Sequence, residues 1–261
     1  MADKSTPILS AAFVFALLTA TACATERDGV EDAPPQQPAP PLYSTVWSAD
    51  AGTDLFGRPG ELIRATSEAA EFSTYAGSGH SYPGYVDALN TSREAPNPGI
   101  DPILLSVTGS PQRPVTFVRH IVEMESGPHS VAATVCGFTV QPTPGENYSM
   151  NPLRRPIRIG LRNPTSDAGA PGQEDSDPLT TAAATTRTPT WNVFEGWSIE
   201  EITLLEDEDI PEACVDWWQG KFPEFTRKPG GNILFPPPGY VYPTAPVAAQ
   251  YPEWIPPSGD N

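Results

Sequence analysis

Few side chains in this sequence are suited to acid–base chemistry, and the three histidines are His80, His120 and His129. His80 stands beside Ser81 in a loop of glycines and tyrosines, residues 77–85, a composition found in loops of hydrolases. The chain contains no Gly-x-Ser-x-Gly turn that would expose a catalytic serine, and no acid is placed beside this pair. The pattern therefore favours a structural loop that ends a helix and covers the core edge with tyrosine rings.

The other two histidines fall on a predicted hairpin, where they could face each other. Together with Glu123 or Glu125 they could bind a metal ion, but histidines at strand ends are more often solvated or capping. We therefore predict no metal site and no cofactor.

Three arginines, Arg119, Arg158 and Arg162, also lie on predicted strands. On the concave face of a sheet they would be able to receive an anionic ligand. The formal net charge is −17, so pairing with surface carboxylates is the simpler interpretation. The same acidity, with a pI near 4.4, argues against binding nucleic acid through a basic face.

The chain has three cysteines, Cys23, Cys136 and Cys214. In an exported protein an odd thiol needs an explanation, and a disulfide between Cys136 and Cys214 is the expected state. Closing a loop of roughly 80 residues would stabilise the fold by about 4 to 5 kcal/mol. The alternative, a zinc site, needs further ligands, and the sequence has no Cys-x-x-Cys pair.

Export is indicated by residues 8–23, ILSAAFVFALLTATAC, a mainly apolar run preceded by the single basic residue Lys4. The run has the length of a signal-peptide core and is shorter than the roughly 20 residues that span a bilayer. Small residues at Ala20 and Ala22 fit a cleavage site. We predict a signal peptide over residues 1–22.

The four residues Ala20-Thr21-Ala22-Cys23 resemble a bacterial lipobox. This resemblance implies that Cys23 carries a diacylglycerol and becomes the mature N-terminus, with two acyl chains that suffice for stable anchoring. The protein would then sit on the extracytoplasmic face of the cell membrane. Plain secretion with a free Cys23 and an uncleaved anchor are the alternatives.

Proline accounts for 33 of the 261 residues, well above the average of about 5%, and is concentrated in segments without apolar periodicity. Residues 23–41 are predicted to be a semi-stiff tether. Residues 164–189 are predicted to be a mobile insertion, whose threonines beside prolines resemble O-glycosylated sequence. Residues 229–261 are predicted to be a disordered tail, with aromatic side chains that could wrap the domain.

The segment between tether and tail, residues 42–228, is predicted to form one α+β domain. Residues 61–76 have apolar side chains at helical spacing and place four charged side chains on the opposite face, at Glu61, Arg64, Glu68 and Glu71. Alternating patterns predict strands at 115–124, 129–141 and 156–163, and one or two strands over 190–205 with a bend at Gly196. A short helix is expected at 210–225. We therefore predict a curved antiparallel sheet covered by a long N-terminal helix.

This element order resembles the cone-shaped fold of nuclear-transport-factor-2-like domains, over residues 42–225. The whole-chain plan is similar to that of exported lipoproteins of high-GC Gram-positive bacteria. Neither resemblance implies an activity.

The expected function is that of a non-enzymatic, lipid-anchored binding domain for an envelope protein or a small apolar or sugar ligand. One alternative is a small extracytoplasmic hydrolase or isomerase that uses His80 or His120 with a carboxylate. A purely structural spacer is a third possibility. An enclosed pocket with a histidine and a carboxylate in hydrogen-bond reach would favour the enzyme.

Overall fold

Five strands form one open sheet in this computed structural model, which describes residues 43–89, 97–109, 114–142, 151–165, 167, 169–172, 174 and 188–257. The strands are β1 (Tyr43–Ala49), β2 (Val115–Ser126), β3 (Ser130–Val140), β4 (Leu153–Arg162) and β5 (Ser198–Leu204). They lie side by side in the order of the sequence. With its helices the domain is of the predicted α+β class, and the hairpin predicted from alternation is confirmed as β2 and β3.

The sheet is mixed, so the prediction of a purely antiparallel sheet is wrong. Strands β2 to β5 are antiparallel neighbours, whereas β1 pairs with β2 in parallel. Parallel neighbours cannot be joined by a hairpin and need a crossover connection. Here the crossover contains helix α1 (Arg58–Ala76). Sequence alternation did not reveal β1, whose seven residues include three serines or threonines.

Helix α1 confirms the helix predicted over residues 61–76 and begins three residues earlier. Pro59 lies in its first turn, where a missing N–H costs nothing. Gly77 ends the helix with a positive φ of 86°, a conformation that glycine adopts easily. Fully buried alanines at Ala65, Ala69 and Ala70 let α1 pack closely on one face of the sheet.

The polar face of α1 is buried, which corrects the expectation that it faces solvent. Glu61, Arg64 and Glu68 are each at most 3% exposed. The side that periodicity assigns to water is instead covered by other parts of the chain. The charges of Glu61, Arg64 and Glu68 must therefore be paired or hydrogen-bonded inside the protein.

Helix α3 (Glu212–Lys221) packs on the opposite face of the sheet and confirms the short helix predicted there. Cys214 on α3 forms a disulfide with Cys136 on β3, with the two Cα atoms 5.6 Å apart. The predicted cysteine pair is therefore confirmed. Trp218 adds a hydrogen bond from its Nε1 to the Gly137 carbonyl, at 3.1 Å.

The smaller elements are short. Helix α2 (Tyr85–Leu89) follows the glycine-rich loop. The bend predicted at Gly196 is confirmed, since residues 193–196 form a turn that ends there with a positive φ, and only the part after the bend is a strand, β5. Strands β6 (Thr226–Arg227) and β7 (Leu234–Phe235) form a separate two-stranded ribbon.

The C-terminal segment packs on the domain through residue 257, so the prediction of a disordered tail is wrong for this part. Tyr251 bridges β1 in parallel, donating its backbone N–H to Thr45 and accepting one from Trp47. Trp254 is only 1% exposed. The segment therefore covers the free edge of β1, which would otherwise present unpaired backbone groups.

Several predictions lie outside the described residues. They concern the signal peptide over 1–22, Cys23, the tether over 23–41 and most of the threonines in the insertion. Within the insertion, Gly172 donates its backbone N–H to buried Glu61, at 2.7 Å. None of the described helices has the length and apolar composition needed to cross a membrane.

Candidate functional site

A cleft of about 310 Å³ lies between the C-terminal half of α1 and the sheet. Most of its lining is apolar. The apolar side chains come from α1, from the turn Pro102–Leu105 and from four strands; they are Ala70, Leu104, Phe117, Val135, Ile157 and Leu204. The charged side chains among these lining residues lie where β2, β3 and β4 run side by side below Glu71 of α1.

Two arginines flank a glycine in a row across those three strands. Gly137 on β3 is paired with Arg119 on β2 and with Arg154 on β4. A Cβ on Gly137 would lie 3.3 Å from the Val118 carbonyl oxygen, 3.8 Å from the Arg154 Cβ and 3.9 Å from the Arg119 Cγ. Because Gly137 has no side chain, the two arginines flank a bare stretch of backbone.

A β-bulge decides which arginine of β4 joins this row. Between the pairs Val135–Ile157 and Gly137–Arg154, β4 contains one residue more than β3. Such an extra residue re-aims the side chains beyond it. Without the bulge, Arg155 would take the place opposite Gly137. Pro156 lies within the bulge, where a residue without an N–H is tolerated.

Glu71 on α1 joins the two arginines from above. Its Oε2 accepts hydrogen bonds from Arg154 at 2.9 Å and from Arg119 at 3.2 Å, and its Oε1 accepts one from the Tyr75 hydroxyl at 2.5 Å. Burial alone would raise the pKa of Glu71, but the two guanidinium charges and the Tyr75 bond outweigh it and hold that pKa below its ordinary value. The carboxylate is therefore ionised at neutral pH.

The predicted trio of arginines does not form one site. Arg119 is buried and also donates to Ser67. Arg158 and Arg162 instead pair with Glu201 and Glu200 on β5, at 3.8 and 2.9 Å, with side chains that are 41% and 65% exposed. For these two, the interpretation as surface ion pairs is confirmed.

His120 forms a hydrogen-bonded chain with Ser48 and Asp50 on the α3 face of the sheet. Its Nδ1 lies 2.8 Å from the Ser48 Oγ and its Nε2 lies 3.1 Å from Asp50 Oδ1, while the ring stacks on Trp217. Burial lowers the pKa of His120, with a smaller contribution from Lys221, and Asp50 only partly offsets this. A neutral imidazole that donates from Nε2 and accepts at Nδ1 satisfies both contacts.

The three hydrogen-bonded residues Ser48, His120 and Asp50 are of the types found in a hydrolytic triad, but they are arranged differently. A triad buries its acid and opens its serine to the substrate. Here the Asp50 side chain is 48% exposed, whereas Ser48 is partly buried at the junction of two strands. None of the three residues lines the cleft. The contacts are explained by their structural role, since they tie β1 to β2 and to α3.

The remaining histidines, His80 and His129, lie away from the cleft and away from the Ser48–His120–Asp50 contacts. His80 is exposed in the short turn Ser78–His80, while its neighbour Ser81 donates to the Ala69 carbonyl in the second half of α1. The Nδ1 of His129 lies 3.2 Å from the Asn163 carbonyl. The structure does not bring His120 and His129 together, and the described residues contain no cluster of three or more His, Cys, Asp or Glu side chains suited to a metal.

Glu68 is the most heavily hydrogen-bonded carboxylate of the buried helix face. It accepts from four neutral donors on three different parts of the chain; these are Trp47 Nε1 at 2.6 Å, Tyr82 OH at 2.5 Å, Trp254 Nε1 at 3.0 Å and Gln250 Nε2 at 3.3 Å. The four donors supply the stabilisation that water would otherwise give a carboxylate. Glu68 therefore fastens the C-terminal segment to α1 and β1.

Sequence patterns did not single out Glu71, Gly137 or Arg154 as a site. The residues of the row are far apart in the chain, and Arg154 lay just before the strand predicted at residues 156–163. The one available signal was Pro156 directly after two arginines, since proline inside a strand marks an edge or a bulge. Comparison with known proteins provides no family assignment: no family model, no curated protein and no solved structure matches this chain.

Proposed function

We propose that this domain is a non-enzymatic binding domain of the cell envelope, with the cleft between α1 and the sheet as its ligand site. The cleft itself is the observation that carries the proposal. At about 310 Å³ it is at the lower end of the roughly 300–1,000 Å³ that small-molecule sites occupy. Its mainly apolar walls with a few converging polar groups are typical of such sites.

The composition of the cleft supports binding over catalysis. Its charged lining residues are Glu71, Arg119, Arg154 and Arg155, and no histidine is among the described residues that line it. Arginine stays protonated at any physiological pH, and Glu71 is held ionised by its partners. Groups with fixed charges orient a ligand well but exchange protons poorly.

Binding is tested with the neutral, apolar fluorescent probe N-phenyl-1-naphthylamine. Leu204 lines the cleft and is partly exposed, so Leu204→Trp should fill it and raise the Kd of the probe at least about tenfold. The matched control is Leu205→Trp, because this neighbour is equally partly exposed but packs against the core on the α3 side. Fluorescence titration of the three proteins measures the effect.

Two results would contradict the binding proposal. One is that the probe does not bind the wild-type protein; the other is that Leu204→Trp binds it as tightly as wild type does. Thermal unfolding of both variants identifies any loss of the fold, so reduced binding by an unfolded protein is not counted as support.

Anchoring through Cys23 is the second part of the proposal, and its support comes from the cysteines. The structure pairs Cys136 with Cys214, which leaves Cys23 as the odd thiol beside the lipobox-like residues 20–23. The Pro-rich residues 23–41 would then hold the domain away from the bilayer. The resemblance to the cone-shaped fold also remains a proposal.

Native protein should partition into a detergent phase with the mass of a diacylated chain, whereas Cys23→Ala should stay in water. If both proteins stay in water with the mass of a secreted chain, the anchor does not exist. Binding by the cleft is independent of that outcome.

A further inference from the structure

The charges that line the cleft do not balance. Among the described residues that line the cleft, Glu71 is the single carboxylate, and it is shared by Arg119 and Arg154. Arg155, also at the cleft, is occupied by Glu206 at 2.8 Å and by the carbonyls of Leu204 and Leu205. One positive charge is therefore in excess, in a chain whose formal net charge is −17.

Arg154 is the residue whose guanidinium can present this excess positive charge to a ligand. Its side chain is 46% exposed, whereas Arg119 is almost fully buried. In the part of the chain that the structure describes, Glu71 is its only hydrogen-bond partner, through Nη2. A guanidinium has five N–H donors in a planar fork that matches a carboxylate, so most of the fork is free to bind one.

The apolar surface next to Arg154 runs in one direction along the sheet. Val135, Ile157 and Leu204 form the next row of paired residues, across β3, β4 and β5. All three line the cleft. A ligand whose charged end lies on Arg154 would therefore place its apolar body over this row.

We propose that the cleft binds an amphipathic monocarboxylate, with its carboxylate on the Arg154 guanidinium and its apolar chain over Val135, Ile157 and Leu204. The inference rests on the proposed binding function and names the ligand class of that site. A neutral ligand would leave the excess charge without a partner. Each further negative charge on a ligand would add repulsion from Glu71 and from the acidic protein without a second free guanidinium, among the described lining residues, to offset it.

Decanoate and decanol are matched probes, because they share the same alkyl chain and differ in the charged end. In displacement of N-phenyl-1-naphthylamine at pH 7.5, decanoate should bind wild type about tenfold more tightly than decanol does. In Arg154→Gln this preference should disappear, so that decanoate and decanol displace the probe equally well, whereas Arg158→Gln should keep the wild-type preference. Arg158→Gln is the control, since Arg158 lies on the same strand, is 41% exposed and also pairs with a glutamate.

Equal displacement by decanoate and decanol in wild type would overturn the inference, as would a preference that persists in Arg154→Gln. So would loss of the preference in Arg158→Gln, because the effect would then come from general surface charge. In each of these cases displacement of the neutral probe still supports the proposed function. Failure of wild type to bind that probe would contradict the proposed function itself.

Discussion

Replacing Glu68 by alanine is expected to lower the free energy of unfolding by about 4 kcal/mol. The substitution removes the carboxylate that accepts hydrogen bonds from two indole N–H groups, a tyrosine hydroxyl and a glutamine amide. Each buried donor without a partner costs on the order of 1–3 kcal/mol, less any relaxation toward solvent. The loss should also loosen the C-terminal segment, since Gln250 and Trp254 both belong to it.

Urea denaturation of Glu68→Ala and of two companion variants measures this effect. Glu68→Gln keeps the shape and one acceptor oxygen but turns an amide N–H₂ toward other donors, so it should fall between wild type and alanine. Glu200→Ala is the surface control, because its ion pair with Arg162 is exposed and should contribute at most about 1 kcal/mol. A loss below about 1 kcal/mol in Glu68→Ala would show that the donors find other partners.

The double variant Cys136→Ala/Cys214→Ala is expected to lose about 4 to 5 kcal/mol of stability on the chain-entropy model. The disulfide joins residues 78 positions apart, so its removal frees a long loop in the unfolded chain. It also fastens α3 to the centre of the sheet, where both cysteines are fully buried. Each alanine also removes one buried sulfur atom, so the cavity that remains adds to this loss.

Urea unfolding with and without dithiothreitol separates the covalent bond from the substitution itself. The reductant should lower the midpoint of wild type toward that of the double variant and leave the double variant unchanged. Reduced wild type that keeps the stability of the oxidised protein would show that the bond contributes nothing. Cys23→Ala should unfold like wild type under both conditions, since the disulfide does not involve Cys23.

The strongest local patterns predicted their elements correctly. The alternation around His120 predicted β2 and its hairpin partner, because side chains on a strand must alternate between two faces. Helical spacing predicted α1, and Gly77 marked its end. Cysteine parity predicted the pair Cys136 and Cys214, since an odd thiol left only one sensible assignment once Cys23 was set aside.

Where local patterns failed, the determining contacts came from distant parts of the chain. Periodicity placed Glu68 on the outside of α1, but the segment around Trp254, 186 residues away, covers that face. The C-terminal segment has no strand periodicity, since it bridges β1 at Tyr251 and is held elsewhere by scattered contacts, such as the Ala245 N–H to the Gln141 carbonyl and the Trp254 indole to Glu68. A sequence of this kind has the composition of a disordered tail even when it packs.

For the cleft, too, local sequence patterns and tertiary structure determine different features. From its own residues the chain determined its acidity, its export-like N-terminal pattern, its main helix and hairpin, and the pairing of two cysteines, because each follows from composition or short-range periodicity. Only the tertiary structure decided that Arg119, Gly137 and Arg154 stand in one row beneath Glu71. That row depends on strand register and on a single extra residue in β4, and no local pattern encodes which residues of separate strands will be opposite one another.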